Sequence, residues 1–303
     1  MDAPSGEQFD LVLGQQRATV VEVGGGIRAY TVQEREVLES YPVDAMCDGG
    51  HGAVLIPWPN RLADGAYTFD GVARQLPIDE VDKHNANHGL LRWRSWRCLD
   101  RRDDHVVLGV RLHPMPGYPF TLDVAVAYTL GPDGLLVTTT ATNAGPTACP
   151  YACGQHPYLS PGDGGVDVAS LTLDAATSID TDNPRRLPTG TAPVAGGPLD
   201  FRAGRRVGDQ RIDTAFTDLA RNSDGRATAR LTGSDGATVE LWVDAGYPII
   251  QIFTGDTLRP DRARRGLACE PMTAPPNALA TGAGLIRLDP GQSVTTRWGA
   301  RLR

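Results

Sequence analysis

The strongest constraint on this chain is a two-residue period in its apolar residues, repeated along most of its length and interrupted by turn formers. Thr121 to Leu130 and Leu135 to Asn143 alternate in this way on either side of Gly131-Pro-Asp-Gly134. Ala227 to Thr232 and Ala237 to Val243 do the same around Gly233-Ser-Asp-Gly236. Side chains along a strand point alternately to opposite faces, so the pattern predicts strands with one face buried. Ala18 to Val23 and Ile27 to Val32 flank Gly24-Gly25-Gly26 and predict a further hairpin. A phosphate-cradling loop would need a helix after the glycines, and no helical period follows them. The chain closes with strands expected at Leu285 to Leu288 and Ser293 to Ala300. With 35 glycines and 23 prolines to punctuate 303 residues, the expected fold is all-β, a large antiparallel β-sandwich forming one domain over residues 1–303. Asp180 to Gly208, poor in apolar residues and rich in proline and glycine, is expected to run over the surface.

Charge and cysteine usage narrow the function. A net charge of -7 argues against a binder of nucleic-acid phosphates, which would carry a basic face. No apolar run reaches the ~20 residues needed to span a bilayer, and Met1 to Gln16 lack a basic start followed by an apolar stretch. The expectation is a soluble cytoplasmic protein that engages neither membrane nor nucleic acid. The five cysteines, Cys47, Cys98, Cys149, Cys153 and Cys269, are odd in number and scattered, which fits reduced thiols. Cys149 and Cys153 have no second pair with which to complete a tetrahedral metal site. His84 and His88 have HxxxH spacing, but His84-Asn-Ala-Asn-His88-Gly89 has loop composition and the HExxH form is absent, so no metal is expected.

Two distant motifs offer titratable groups. Gly154-Gln-His156-Pro-Tyr-Leu159 carries a histidine whose direction is constrained by the following proline, and Cys269-Glu270-Pro-Met-Thr-Ala-Pro-Pro-Asn277 carries a carboxylate beside apolar neighbours, at the expected end of a strand. Together they could supply an acid and a base without a cofactor. Read alone, Glu270 could equally be a rim carboxylate paired with an arginine, and His156 a half-buried structural residue. Asn60 and Arg61 place a fork donor next to Trp58, and Trp58, Trp93 and Trp96 are candidates to stack on a sugar ring or to pack in the core. No GxSxG elbow is present.

The chain resembles the aldose 1-epimerases, or galactose mutarotases. The resemblance rests on Pro59-Asn-Arg-Leu-Ala-Asp-Gly65, Asn87-His88-Gly89, Gln155-His-Pro-Tyr158, Ile212-Asp213-Thr-Ala-Phe216 and Glu270-Pro-Met-Thr-Ala-Pro-Pro-Asn277, five motifs in the family's order. It implies a galactose-mutarotase-like β-sandwich acting on a monosaccharide without metal or redox cofactor. It also implies Glu270 as general base, His156 as general acid, and His88, Arg61 and Asp213 as holders of sugar hydroxyls, with His88 able to assist at the ring oxygen. His88-Gly-Leu-Leu-Arg92, with Trp96 beyond, departs from the Leu-His-Gly-Gly form of many members and is similar to the hexose-6-phosphate 1-epimerase branch. Arg92 and Arg94 are therefore candidate phosphate ligands, or salt-bridged strand residues. The expected activity is interconversion of the α and β anomers of an aldohexose. The alternatives are the phosphorylated-sugar variant and a sugar-binding protein without turnover. A glycoside hydrolase would need a second motif-borne carboxylate. The natural sugar and the oligomeric state stay open.

Overall fold

The structure, a computed structural model, describes residues 3–182 and 184–303. Two large antiparallel sheets account for most of it. One, of twelve strands, runs from Gln8–Leu13 at one edge to Pro188–Pro193 at the other, and the second, of nine, runs from Arg97–Arg102 to Arg205–Arg206. The predicted hairpins pair as expected: Gln16–Val21 with Ile27–Val32, Leu122–Gly131 with Gly134–Asn143, and Ala227–Thr232 with Thr238–Val243. The only described α-helix is Ala278–Thr281. No described helix is long and apolar enough to cross a membrane.

One hydrophobic cluster joins the sheets, taking Leu11, Val20, Leu267 and Ile252 from the first and Leu108, Val126, Leu241 and Trp298 from the second. Burial of this kind stabilises by about 25 cal/mol per Å² of apolar surface. A buried polar chain also crosses the core. Trp298 Nε1 donates to Gln155 Oε1 at 3.0 Å, Gln155 Nε2 donates to the Tyr128 hydroxyl at 2.8 Å, and that hydroxyl donates to the Gly25 carbonyl at 2.7 Å. Buried polar groups must be partnered. Here the partnering locks the residue before His156 to both sheets.

Two local expectations are corrected, and the strand expected at Leu285 to Leu288 forms over Ile286–Leu288 away from the large sheets. Asp180 to Gly208 is more than a surface excursion: Pro188–Pro193 forms the edge strand on Ala175–Thr181, and Arg185 Nη2 reaches back to Asp64 Oδ1 at 3.0 Å and the His84 carbonyl at 2.8 Å. Asn183, within that stretch, lies outside the described residues. Ile286–Leu288 joins neither large sheet and pairs with Cys149–Tyr151. Glu270 is inside the strand Leu267–Met272 and not at its end. All six residues of that strand are buried, because one face meets the core and loops cover the other, so the alternation that marks strands elsewhere disappears.

Candidate active site

Register alone gathers the site. Glu270 stands opposite Gln251 on the neighbouring strand Ile249–Phe253, and Phe253, two residues on from Gln251, stands opposite Asp213. On the other side Tyr158 pairs with Ala268, two residues before Glu270, and His156 precedes Tyr158 by two. Side chains two apart in a strand share a face. His156, Tyr158, Glu270, Gln251, Phe253 and Asp213 are therefore placed on the face of the twelve-stranded sheet away from the core. Segments carrying Gly49 and Gly50, Asn60 and Arg61, Asn87 to Arg92, and Thr257 and Leu258 surround it and line a cavity of about 200 Å³.

His156 and Glu270 meet at that cavity. Nε2 of His156 lies 3.2 Å from Oε1 of Glu270, although 114 residues separate them in sequence. Glu270 is 2% exposed and His156 5%, and neither Glu270 Oε2 nor His156 Nδ1 has a hydrogen-bond partner among the described residues. Burial raises the Glu270 pKa well above the usual carboxylate range; the charge of Asp213 raises it further, and that of Arg61 opposes. Burial lowers the His156 pKa to about 3, with lesser contributions from the charges of His51, Arg92 and Arg61. Both directions favour an uncharged pair that holds one proton across the short gap.

His88 crosses His156 edge to face, with ring centroids 5.5 Å apart. Its Nδ1 accepts the backbone N–H of Asn60 at 3.2 Å, so the neutral ring carries its proton on Nε2 and is a donor. Burial, followed by the charges of His156, Arg92 and Arg61, lowers its pKa and keeps it neutral. Ligand atoms of His88, His156 and Glu270 lie within 4.8 Å of one another, a spacing that invites a metal. The His88 tautomer argues against one. Its Nδ1 lone pair is engaged and its Nε2 is protonated, the reverse of a ligating histidine, which gives its second N–H to an acceptor.

The polar wall is pre-organised. Arg61 Nε donates to Glu80 Oε2 at 2.9 Å and its Nη1 lies 3.6 Å from Asp213 Oδ2, while Gln251 Nε2 donates to Asp213 Oδ1 at 2.6 Å. Asn60, at a left-handed φ of 56°, accepts the Arg61 N–H on its side chain at 2.8 Å. Arg92 also lines the cavity, from a turn and not from the expected strand, and pairs with Asp79 at 2.8 Å. Arg94 is exposed and is not among the lining residues.

Of the residues singled out from sequence, Glu270, His156, His88, Arg61, Asp213, Asn60 and Arg92 line this cavity. Trp58 does not. It is 2% exposed within the hydrophobic core and has no face to offer a sugar. Trp96 is buried in the same core, and Trp93, 50% exposed, packs beside the Arg92 guanidinium outside the lining set. The apolar wall is instead Phe253 and Leu258, which carried no motif. Gly49 and Gly50 were also missed, and a close approach explains Gly50: a Cβ there would stand 2.8 Å from His156 Cδ2, at a φ of +74°. His84 is on the surface with Asp64, so the HxxxH pair does not converge.

A family model described as aldose 1-epimerase matches residues 11–299. An Escherichia coli K12 protein described as uncharacterized protein YihR is 35% identical over 95% of this chain and 91% of its own length. Galactose mutarotase from Sus scrofa is 29% identical over 85% of this chain and 81% of its own. Among solved structures, a GalM/aldose epimerase homologue from C. elegans superposes with a TM-score of 0.86 at 19% identity, covering 98% of each chain.

Proposed function

This chain belongs to the aldose 1-epimerase family, and from that premise we propose that it interconverts the α and β anomers of an aldohexose by opening and reclosing the ring. The observation that carries the proposal is the 3.2 Å approach of His156 Nε2 to Glu270 Oε1 on the wall of a cavity the size of one sugar ring. The pair at rest holds one proton. Its transfer to His156 makes an acid and bares a base in one movement, helped by the Arg61 charge that favours ionised Glu270.

Glu270 then takes the proton of the anomeric hydroxyl while His156 gives its own to the ring oxygen. The bond from C1 to the ring oxygen breaks, leaving the free aldehyde, protonated Glu270 and neutral His156. Rotation about C1–C2 presents the other carbonyl face. The reverse transfers return both protons and close the opposite anomer. Each positioned proton transfer contributes typically ~10²–10⁴-fold. The Nε2–H of His88 suits the ring oxygen as that atom gains charge. Arg61, Asp213 and Asn60 suit the sugar hydroxyls, and Phe253 and Leu258 the apolar face of the ring.

A hexose 6-phosphate is the second reading, favoured by Arg92 on the cavity wall. Polarimetry of freshly dissolved α-D-glucose and α-D-galactose, with NMR exchange of the glucose 6-phosphate anomers, separates the two. Acceleration that disappears in Glu270→Gln and His156→Asn supports the acid and base roles, and the preferred sugar selects the branch. Sugar binding with every anomerisation at its spontaneous rate would replace the enzyme with a sugar sensor.

A further inference from the structure

Behind the acid and base lies a buried ion cluster that the reaction as written does not use. Glu39, His51 and Arg262 are each at most 5% exposed. His51 Nε2 lies 3.1 Å from Glu39 Oε2 and 3.1 Å from Arg262 Nη2, and Arg262 Nη2 lies 3.2 Å from Glu39 Oε1. His51 Nδ1 is 2.9 Å from the Asp48 carbonyl, which can only accept, so Nδ1 carries a proton. Turning the ring over would break the contacts at both nitrogens. Burying ions costs several kcal/mol each before pairing repays it, so a group this confined calls for a role.

The His51 ring faces the active site through one intermediary. It stacks on Tyr158 at 3.8 Å between centroids and 9° between planes, and Tyr158 stacks on His156 at 5.0 Å and 19°. The Tyr158 hydroxyl donates to the Gly49 carbonyl at 2.7 Å, and the Gly52 N–H donates to the His156 carbonyl at 2.9 Å, so the loop and the strand are clasped at two points. The cluster also touches the segment that leads to the base, since a Cβ on Gly266 would stand 2.5 Å from Glu39 Oε2. An active-site histidine is ordinarily oriented by a hydrogen bond at its second nitrogen, and His156 Nδ1 has none among the described residues. Its plane is held by its faces.

We propose that His51, anchored by Glu39 and Arg262, is a positioning residue: through Tyr158 it fixes the plane of the His156 imidazole so that Nε2 stays aimed at Glu270 and the substrate. The kinetic part rests on the epimerase reading; the spectroscopic part does not. The test is NMR of protein carrying ¹⁵N-histidine, with anomer-exchange kinetics, for wild type, His51→Leu and His51→Phe. In wild type His156 gives one sharp set of ring resonances, identified by their loss in His156→Asn. His51→Leu broadens or doubles them and lowers kcat about tenfold while KM moves less than about twofold. His51→Phe, which restores a flat ring under Tyr158, recovers kcat to within about threefold of wild type. Unchanged resonances and kcat in His51→Leu overturn the proposal, as does an equal loss in the two variants. If neither variant folds, the wild-type spectrum decides: two orientations of the His156 ring overturn the proposal, and one supports it. If wild type accelerates no anomerisation while the resonances respond as described, the epimerase reading has failed and the positioning has not.

Discussion

Glu240 and Glu270 are both buried in interior strands, one in each large sheet, and their environments drive them in opposite directions. Glu240 is 0% exposed yet fully answered, with Arg230 Nε at 2.7 Å, Arg301 Nη2 at 2.6 Å and Arg303 Nε at 2.8 Å. Burial works against its ionisation, but hydrogen bonds from Arg303, Arg230 and Arg301 outweigh that and hold its pKa below the usual value. Glu270 has one histidine, an oxygen without a partner among the described residues, and Asp213 nearby, and its pKa rises. Burial alone therefore does not mark a functional carboxylate. What marks it is burial with the compensation left out, because a charge already satisfied by the protein has no reason to take a proton from a substrate.

The comparison breaks most visibly if Glu270→Gln retains activity. We expect a loss of kcat/KM of about 10³-fold or more with sugar binding kept, read by anomer-exchange NMR. His156→Asn is expected to lose about 10²–10³-fold, since His88 remains as a donor. Glu240→Gln should do the reverse, leaving kcat/KM within about twofold of wild type while urea unfolding shows a loss of about 1–3 kcal/mol. That range is kept low because the three arginines are partly exposed and solvent screens them.

Smaller effects sharpen the contrast through pH. The pair of His156 and Glu270 holds one proton and gains a second only as pH falls towards the His156 pKa of about 3. The kcat/KM profile is therefore expected to show no loss as pH falls through about 6.5, where an ordinary histidine gains its proton, and to fall only near the acid limit. A loss of kcat/KM on lowering the pH from about 7 to 6 would refute the neutral-pair assignment. Stability carries the same signs. In the unfolded chain His156 binds a proton below about 6.5 that the fold refuses, so its contribution turns unfavourable as pH falls below that value. Folded Glu270 keeps a proton that the unfolded chain releases above about 4.3, so its contribution is lost as pH rises. Glu270→Gln removes that second cost, and its melting temperature at neutral pH is expected to rise by about 2–4 °C.

The fold was legible because alternation is written wherever one strand face is solvated, as in Leu122–Gly131 and Gly134–Asn143, whose burial alternates residue by residue. It was least legible at Leu267–Met272, where both faces are covered and the period is lost, and there Glu270, expected at a strand end, lies inside the strand. The polar site residues could be read because each sits in a motif. Phe253 and Leu258 could not, since a lone apolar residue carries no sign of whether it meets the core or a cavity. The same blindness, reversed, made Trp58 a candidate. Glu39, His51 and Arg262 escaped notice because a charge looks solvated until chain segments more than two hundred residues apart are brought together.

The hydrogen-bonded chain from Trp298 through Gln155 and Tyr128 to Gly25 has a consequence for how this molecule fails. Its members come from both sheets, so the segment that bears His156 cannot open as a local unit while the sandwich stays closed. Amide exchange at Gln155 and His156 should then proceed only through global unfolding, at the free energy of the whole fold. A denaturant series would show catalysis and β-structure vanishing together, with no inactive but folded species between them.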